Sequence, residues 1–179
     1  MFDRELLNRL TTKKQTTFRN TLMEYYQNLF LSYFYQIKQS EKFFFKGGTA
    51  LRIAFQSPRF SEDLDFSATG SFAVFENILE KVLINIQKEG IETKIIESKI
   101  TTGGYFSIIS ARIYHETVEI QIPLYSQSFP QSTVYSHHFR HIRASIKRIY
   151  EDIAYSFVVI PAKVGIQSNS KVLFKKAIF

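Results

Sequence analysis

Cysteine is absent from the 179 residues. That removes a disulfide framework, a thiolate nucleophile and a Cys-built zinc site, and it matches a reducing cytosol. A membrane-spanning run is missing as well. The most apolar stretch, Leu29 to Tyr35, is far shorter than the roughly 20 residues a spanning helix needs, and Glu24, Gln27 and Asn28 precede it. The first residues, Met-Phe-Asp-Arg-Glu-Leu-Leu-Asn-Arg, mix charges from the third position onward, so no signal-peptide h-region is present. A cytoplasmic protein without a membrane partner is the expectation. No Ser, His and Asp sit in a nucleophile-elbow context, which leaves hydrolase chemistry unsupported. Net charge is likewise scarce where the chain is most protein-like. Residues 1–136 hold 15 Lys and Arg against 14 Asp and Glu, whereas residues 137–179 hold 8 against 2, so most of the +7 excess sits in the last quarter.

What is present reads as one folded unit. Hydrophobic residues make up 45% and charged residues 22%, a globular balance, and the length is that of a single domain. Residues 3–10 read as a short helix. Thr16 or Thr17 caps a second helix that runs to about Lys38, with Phe18, Leu22, Tyr25, Tyr26, Leu29, Tyr33 and Ile37 at helical spacing. Phe43 to Lys46 is a run of β-formers that stops at Gly47-Gly48, where Thr49-Ala-Leu-Arg-Ile-Ala-Phe begins a helix. Pro58 closes that helical region, and Glu62 to Phe66 alternates acidic and apolar residues as a half-buried strand does. Residues 71–89 place Phe72, Phe75, Ile78, Leu79, Val82, Leu83 and Ile86 on one helical face, with Gly90 as the stop. Strands are expected at Ile91–Glu97, Tyr105–Tyr114 and Thr117–Pro123, with turns at Gly103-Gly104 and His115-Glu116. Together these predict an α+β domain with a mixed sheet flanked by helices.

One constellation carries chemistry: Lys46-Gly-Gly-Thr-Ala-Leu followed by Arg59-Phe-Ser-Glu-Asp-Leu-Asp-Phe66. Two glycines between a strand and a helix let backbone N–H groups approach a ligand, and the helix N-terminus adds positive potential that suits a triphosphate. Asp63 and Asp65, two apart on a strand, project from one face while Leu64 and Phe66 turn to the core. Paired carboxylates of this kind suit Mg²⁺, which takes one or two carboxylates plus phosphate oxygens and water.

These residues resemble the polymerase-β-like nucleotidyltransferase superfamily and, within it, the AbiEii-type toxins of type IV toxin–antitoxin and phage-defence systems. The resemblance is specific over residues 46–66 and looser out to about Gln121. It implies that Gly47, Gly48 and Thr49 contact nucleotide phosphate, that Asp63 and Asp65 bind Mg²⁺ or Mn²⁺, and that Ser61 and Arg59 support the loop and meet phosphate. Lys46 can also reach phosphate, although a strand-end lysine is more often solvated. A third carboxylate is usual in the superfamily. Glu119, alternating against the aliphatic residues of Val118-Glu-Ile-Gln-Ile, fills that place, with Glu116 as the substitute. Arg52 reads as a surface or ion-pair residue rather than a ligand.

The resemblance further implies transfer of a nucleotidyl group from an NTP to a hydroxyl. The donor would be GTP or a pyrimidine triphosphate, the acceptor tRNA, and the protein partner a cognate antitoxin; the residues themselves choose among none of these. Two alternatives stay open: an inactive remnant that still binds nucleotide or antitoxin, and a small-molecule nucleotidyltransferase like the aminoglycoside-modifying enzymes. The family's later motif begins at Glu151-Asp-Ile-Ala but stops at Tyr155. Val159-Ile-Pro-Ala-Lys-Val-Gly-Ile-Gln resembles a translated bacterial intergenic repeat. The expected organisation is therefore a nucleotidyltransferase domain over 1–154 and a non-family tail over 155–179, with the C-terminal helical lobe largely missing. His137, His138 and His141, and the tail lysines Lys171, Lys175 and Lys176, read as solvated.

Overall fold

In a computed structural model the described residues are 3–126. The sequence also suggests a strand near Ser145–Tyr150 and a helix starting at Glu151; these, the histidine group, the basic tail and the boundary at residue 154 all lie outside the described residues. Helix α1 spans Arg4–Lys13 and α2 spans Phe18–Phe34. Both have side-chain caps: Asp3 accepts from the Glu5 amide at 3.4 Å and Thr17 from the Asn20 amide at 3.1 Å. A 3₁₀ turn, Lys38–Lys42, leads into β1, Phe43–Lys46. Helix α3, Gly47–Phe55, follows without a break, and then come β2, Asp65–Ala68, and α4, Phe72–Lys88. The chain then forms a three-stranded meander of β3, Glu92–Thr101, β4, Gly104–Ile113, and β5, Glu116–Ser126.

The five strands form one sheet in the order β1-β2-β5-β4-β3. Only β2 and β5 run parallel; the other neighbours are antiparallel, so the sheet is mixed as expected. One face is covered. Phe43, Phe45, Phe66, Ile109, Ala111, Val118, Ile120, Ile122 and Leu124 are buried there in one cluster with α2 and α4. The aromatic stripe of α2 belongs to this core: the Phe34 ring lies 4.9 Å from Phe66, 5.7 Å from Phe75 and 6.3 Å from Phe43, centroid to centroid. The α4 face read from the sequence is the buried one, from Phe75 to Ile86, with Phe72 partly buried at its start.

Boundaries moved where turn chemistry decides them. The β4–β5 turn is Tyr114-His115, both at positive φ (51° and 72°), a two-residue hairpin that matches strand twist and leaves Glu116 as the first residue of β5. Gly104 lies in β4 rather than in the turn, paired with Thr101 and Tyr125, and the Leu124 carbonyl of β5 occupies the space a Cβ there would need. Helix α2 stops at Phe34, before Ile37, and β3 extends to Thr101. No helix among the described residues is long and apolar enough to cross a membrane.

Candidate functional site

The uncovered face of the sheet is built by the alternate residues of the same strands. Lys46 pairs with Asp65 across β1–β2, and the β2–β5 register, Phe66 opposite Leu124, continues backward through a bond from the Leu64 amide to the Gln121 carbonyl at 2.9 Å. Leu64 and Phe66 are wholly buried, so Asp63 and Asp65 face the other way, beside Glu119 and Gln121. The pair straddles a boundary, because the strand expected at 62–66 starts only at Asp65. Asp63 lies on an irregular segment, 56–64, that has no ladder of its own.

Side chains hold that segment instead. Arg52 on α3 donates to the carbonyls of Ser57 at 3.2 Å and Pro58 at 2.9 Å. Gln27 on α2, almost fully buried, donates to the carbonyls of Ser61 at 3.0 Å and Glu62 at 2.8 Å. Thr49 on α3 donates from its hydroxyl to the Asp63 carbonyl at 2.6 Å. Buried Glu24 in turn receives Arg52 and Lys14, which leaves its charge compensated from two sides. Carbonyls without a strand partner are thereby satisfied, and the Asp63 carboxylate is held facing outward.

The glycines matter through close approach. Gly47 sits at φ 79°, and a Cβ there would overlap the Asp65 carboxylate; a Cβ on Gly48 would press on the Ser61 hydroxyl. The start of α3 is thus seated directly against the acidic segment. Lys46, the N-cap residue, makes no side-chain capping bond, and a helix start leaves its first N–H groups without intrahelical partners. The Thr49 hydroxyl is buried and spent on Asp63, so what Thr49 can offer a phosphate is its backbone N–H.

Burial raises the pKa of Asp63 above the ordinary carboxylate range, and the charges of Asp65 and Glu62 push it the same way. Asp65 is also raised by burial, against the opposing pull of Lys46. The Lys46 ammonium itself rests over an exposed aromatic, with Nζ 4.3 Å from the Tyr125 ring centroid. Two partly desolvated carboxylates on one face, with so little cationic compensation, form a donor set that fits a hard divalent cation. A partly open cleft of about 130 Å³ joins Asp63 to Glu119, lined also by Arg19, Glu62 and Gln121. Glu119 therefore shares the cleft, whereas Glu116 stands at the far end of β5, opposite Ile113. Among the described residues no three acidic or histidine side chains gather closely enough to hold a metal ion, so Glu119 lines the approach to the pair without joining it. Arg59 is exposed, with no hydrogen bond or ion pair among the described residues.

Sequence reading missed Gln27, Arg19 and Tyr125; Arg52, expected as a surface or ion-pair residue, does pair with Glu24, and it also holds the Ser57 and Pro58 carbonyls. The signal for Gln27 was visible as a polar residue inside the aromatic stripe of α2. Arg19 carries no such mark: it is an exposed residue whose guanidinium reaches the Thr117 carbonyl at 3.0 Å.

A family model described as "Nucleotidyl transferase AbiEii toxin, Type IV TA system" matches residues 29–138, more than half of the chain. No curated protein matches the sequence. Among solved structures, MenT4, a nucleotidyltransferase toxin from Mycobacterium tuberculosis H37Rv, is similar at 20% identity and a TM-score of 0.48, over 75% of this chain and 51% of that one. JHP933 from Helicobacter pylori is similar at 20% identity and a TM-score of 0.47, over 64% of this chain and 47% of that one. The chain spans about half the length of these structures. By the family match, on a mixed sheet that seats a glycine turn against an aspartate pair, the chain belongs to the AbiEii nucleotidyl transferase toxin family.

Proposed function

We propose that this chain carries the donor half of a nucleotidyl-transfer site, in which an NTP is held between the start of α3 and the Asp63–Asp65 pair. The observation that supports this most is the seating of Gly47 directly against the Asp65 carboxylate. That seating sets the first N–H groups of α3 beside an acid, within reach of a single ligand. Gly47, Gly48 and Thr49 offer N–H groups to the phosphates, Lys46 and Arg59 offer positive charge, and Ser61 and Gln27 keep the loop in place. Asp63 and Asp65 would hold Mg²⁺ or Mn²⁺, which when bound supplies Lewis-acid neutralisation of the phosphoryl oxygens. Glu119, across the cleft, takes the acceptor side and orients its attacking hydroxyl.

The family supports GTP or a pyrimidine triphosphate as donor, tRNA as acceptor and an antitoxin as protein partner. The test is incubation of the full chain with labelled NTPs, Mg²⁺ and total tRNA. Wild type is expected to transfer label, and Asp63→Ala and Asp65→Ala to lose about three orders of magnitude of it, the scale of removing a principal electrostatic contact. Transfer that survives both substitutions sinks the site assignment.

A second reading, binding without transfer, is favoured by the separation of Glu119 from the aspartate pair. It expects NTP-dependent thermal stabilisation that Asp65→Ala abolishes, with no labelled product.

A further inference from the structure

We infer that β3 is a self-pairing edge, through which two copies of this chain join antiparallel into one continuous sheet. The inference is independent of the nucleotidyl-transfer reading. Strand β3 ends the sheet, and no strand among the described residues pairs with its outer side. It is ten residues long and carries three exposed isoleucines: Ile95 at 40%, Ile96 at 47% and Ile100 at 74%. Such an edge offers a row of unmet backbone groups to any second strand.

Charge and register identify the occupant. Placing the twofold axis between Ile95 and Ile96 sets Glu92 opposite Lys99 of the second copy, Thr93 opposite Ser98, Lys94 opposite Glu97, and Ile95 opposite Ile96. Each of the four charged residues of the strand meets the opposite sign. The β-bulge makes this register possible. Residues facing each other in an antiparallel pair must lie on the same face, and without a bulge Lys94 and Glu97, three apart, would lie on opposite faces. The register shift between Ile95 and Glu97 inserts one residue, so Glu97 pairs with Ile108 just as Lys94 pairs with Ser110. Ile108 and Ser110 are two apart in β4, hence on one face, so Lys94 and Glu97 are as well. Two bulges then meet across the axis, two residues against two.

Charged residues and bulges also protect edges from pairing. A protective edge has no need of self-complementary order, and here the order is complementary at every charged position. Within one chain Lys99 already lies 2.5 Å from Glu97, and both side chains keep substantial exposure, so they are free to extend contacts to a second copy. An interface one strand wide is small, which places the dissociation constant at about micromolar order.

The experiment is sedimentation of the full chain up to about 1 mM, a range that brackets that affinity. Wild type is expected to reach twice the 20.9 kDa of one chain. Lys94→Glu and Glu97→Lys each place like charges across the axis twice, and each is expected to raise the dissociation constant about tenfold. The double variant Lys94→Glu/Glu97→Lys restores complementarity and the wild-type constant. Mixing the two single variants should give a one-to-one heterodimer, since one then carries two acids where the other carries two lysines. Circular dichroism of each variant should be unchanged, because both side chains are on the surface. A monomer throughout the range overturns the inference, as does a dimer indifferent to the single reversals or one the double variant fails to restore.

Discussion

The two faces of this sheet are made by the same strands and obey different rules. On the covered face, Phe45, Phe66 and Leu124 meet as wholly buried or nearly wholly buried neighbours, and the energy is that of apolar burial and aromatic contact. One residue along, Lys46, Asp65 and Tyr125 stand on the open face, half-buried or exposed, where burial works against the charges. The difference teaches that the site is a by-product of register: whatever fixes the phenylalanines fixes the acids, while the acids contribute nothing favourable in return.

Breaking the covered face should have the largest effect. Phe66→Ala removes a ring in contact with Phe34, Phe45 and Phe75 and should cost about 3–5 kcal/mol, measured by urea denaturation. Next comes the joint between the faces. Gly47→Ala combines a left-handed backbone with an overlap on Asp65, and should cost about 2 kcal/mol while abolishing NTP-dependent stabilisation. Thr49→Val leaves the Asp63 carbonyl without its donor and should cost about 1–2 kcal/mol by the same denaturation, with NTP affinity weakened rather than lost.

The smallest effect has the opposite sign. A carboxylate whose pKa is raised by folding is more easily charged in the unfolded chain, so it lowers stability once pH rises above the unfolded value, about 4. Asp63→Asn should therefore leave melting unchanged below that pH. As pH climbs through the folded pKa of Asp63, the melting temperature should rise about 2 °C above wild type. Equal melting of variant and wild type at pH 7 would erase the contrast between the faces.

The covered face was largely legible because burial imposes periods on the sequence: 3.6 in α4, where the face from Phe75 to Ile86 was read correctly, and 2 through Asp63, Leu64, Asp65 and Phe66. The glycine turn and aspartate pair were legible as motifs. Their support was not, because Gln27, Arg52 and Thr49 act on carbonyls, and a carbonyl is the same at every residue. The hairpin turn expected at His115-Glu116 lies one residue earlier, at Tyr114-His115, because Tyr114 carries no turn signal of its own and the two strands impose its positive φ. Arg19 escaped because a cleft is assembled in space from elements far apart in the chain, and Tyr125 because its contact is with the Lys46 ammonium of another strand.

That distance has a consequence for when the cleft can exist. Asp63 faces Glu119 only through the parallel pairing of β2 with β5, and the bond that anchors it joins Leu64 to Gln121 with α4, β3 and β4 between them. Contacts of such sequence separation are closed late in folding. A chain emerging from the ribosome displays its glycine turn and acid pair long before β5 has been made, yet it has no opposite wall for them to face. The motif is translated first, and the cleft forms only after α4, β3, β4 and β5 have followed it.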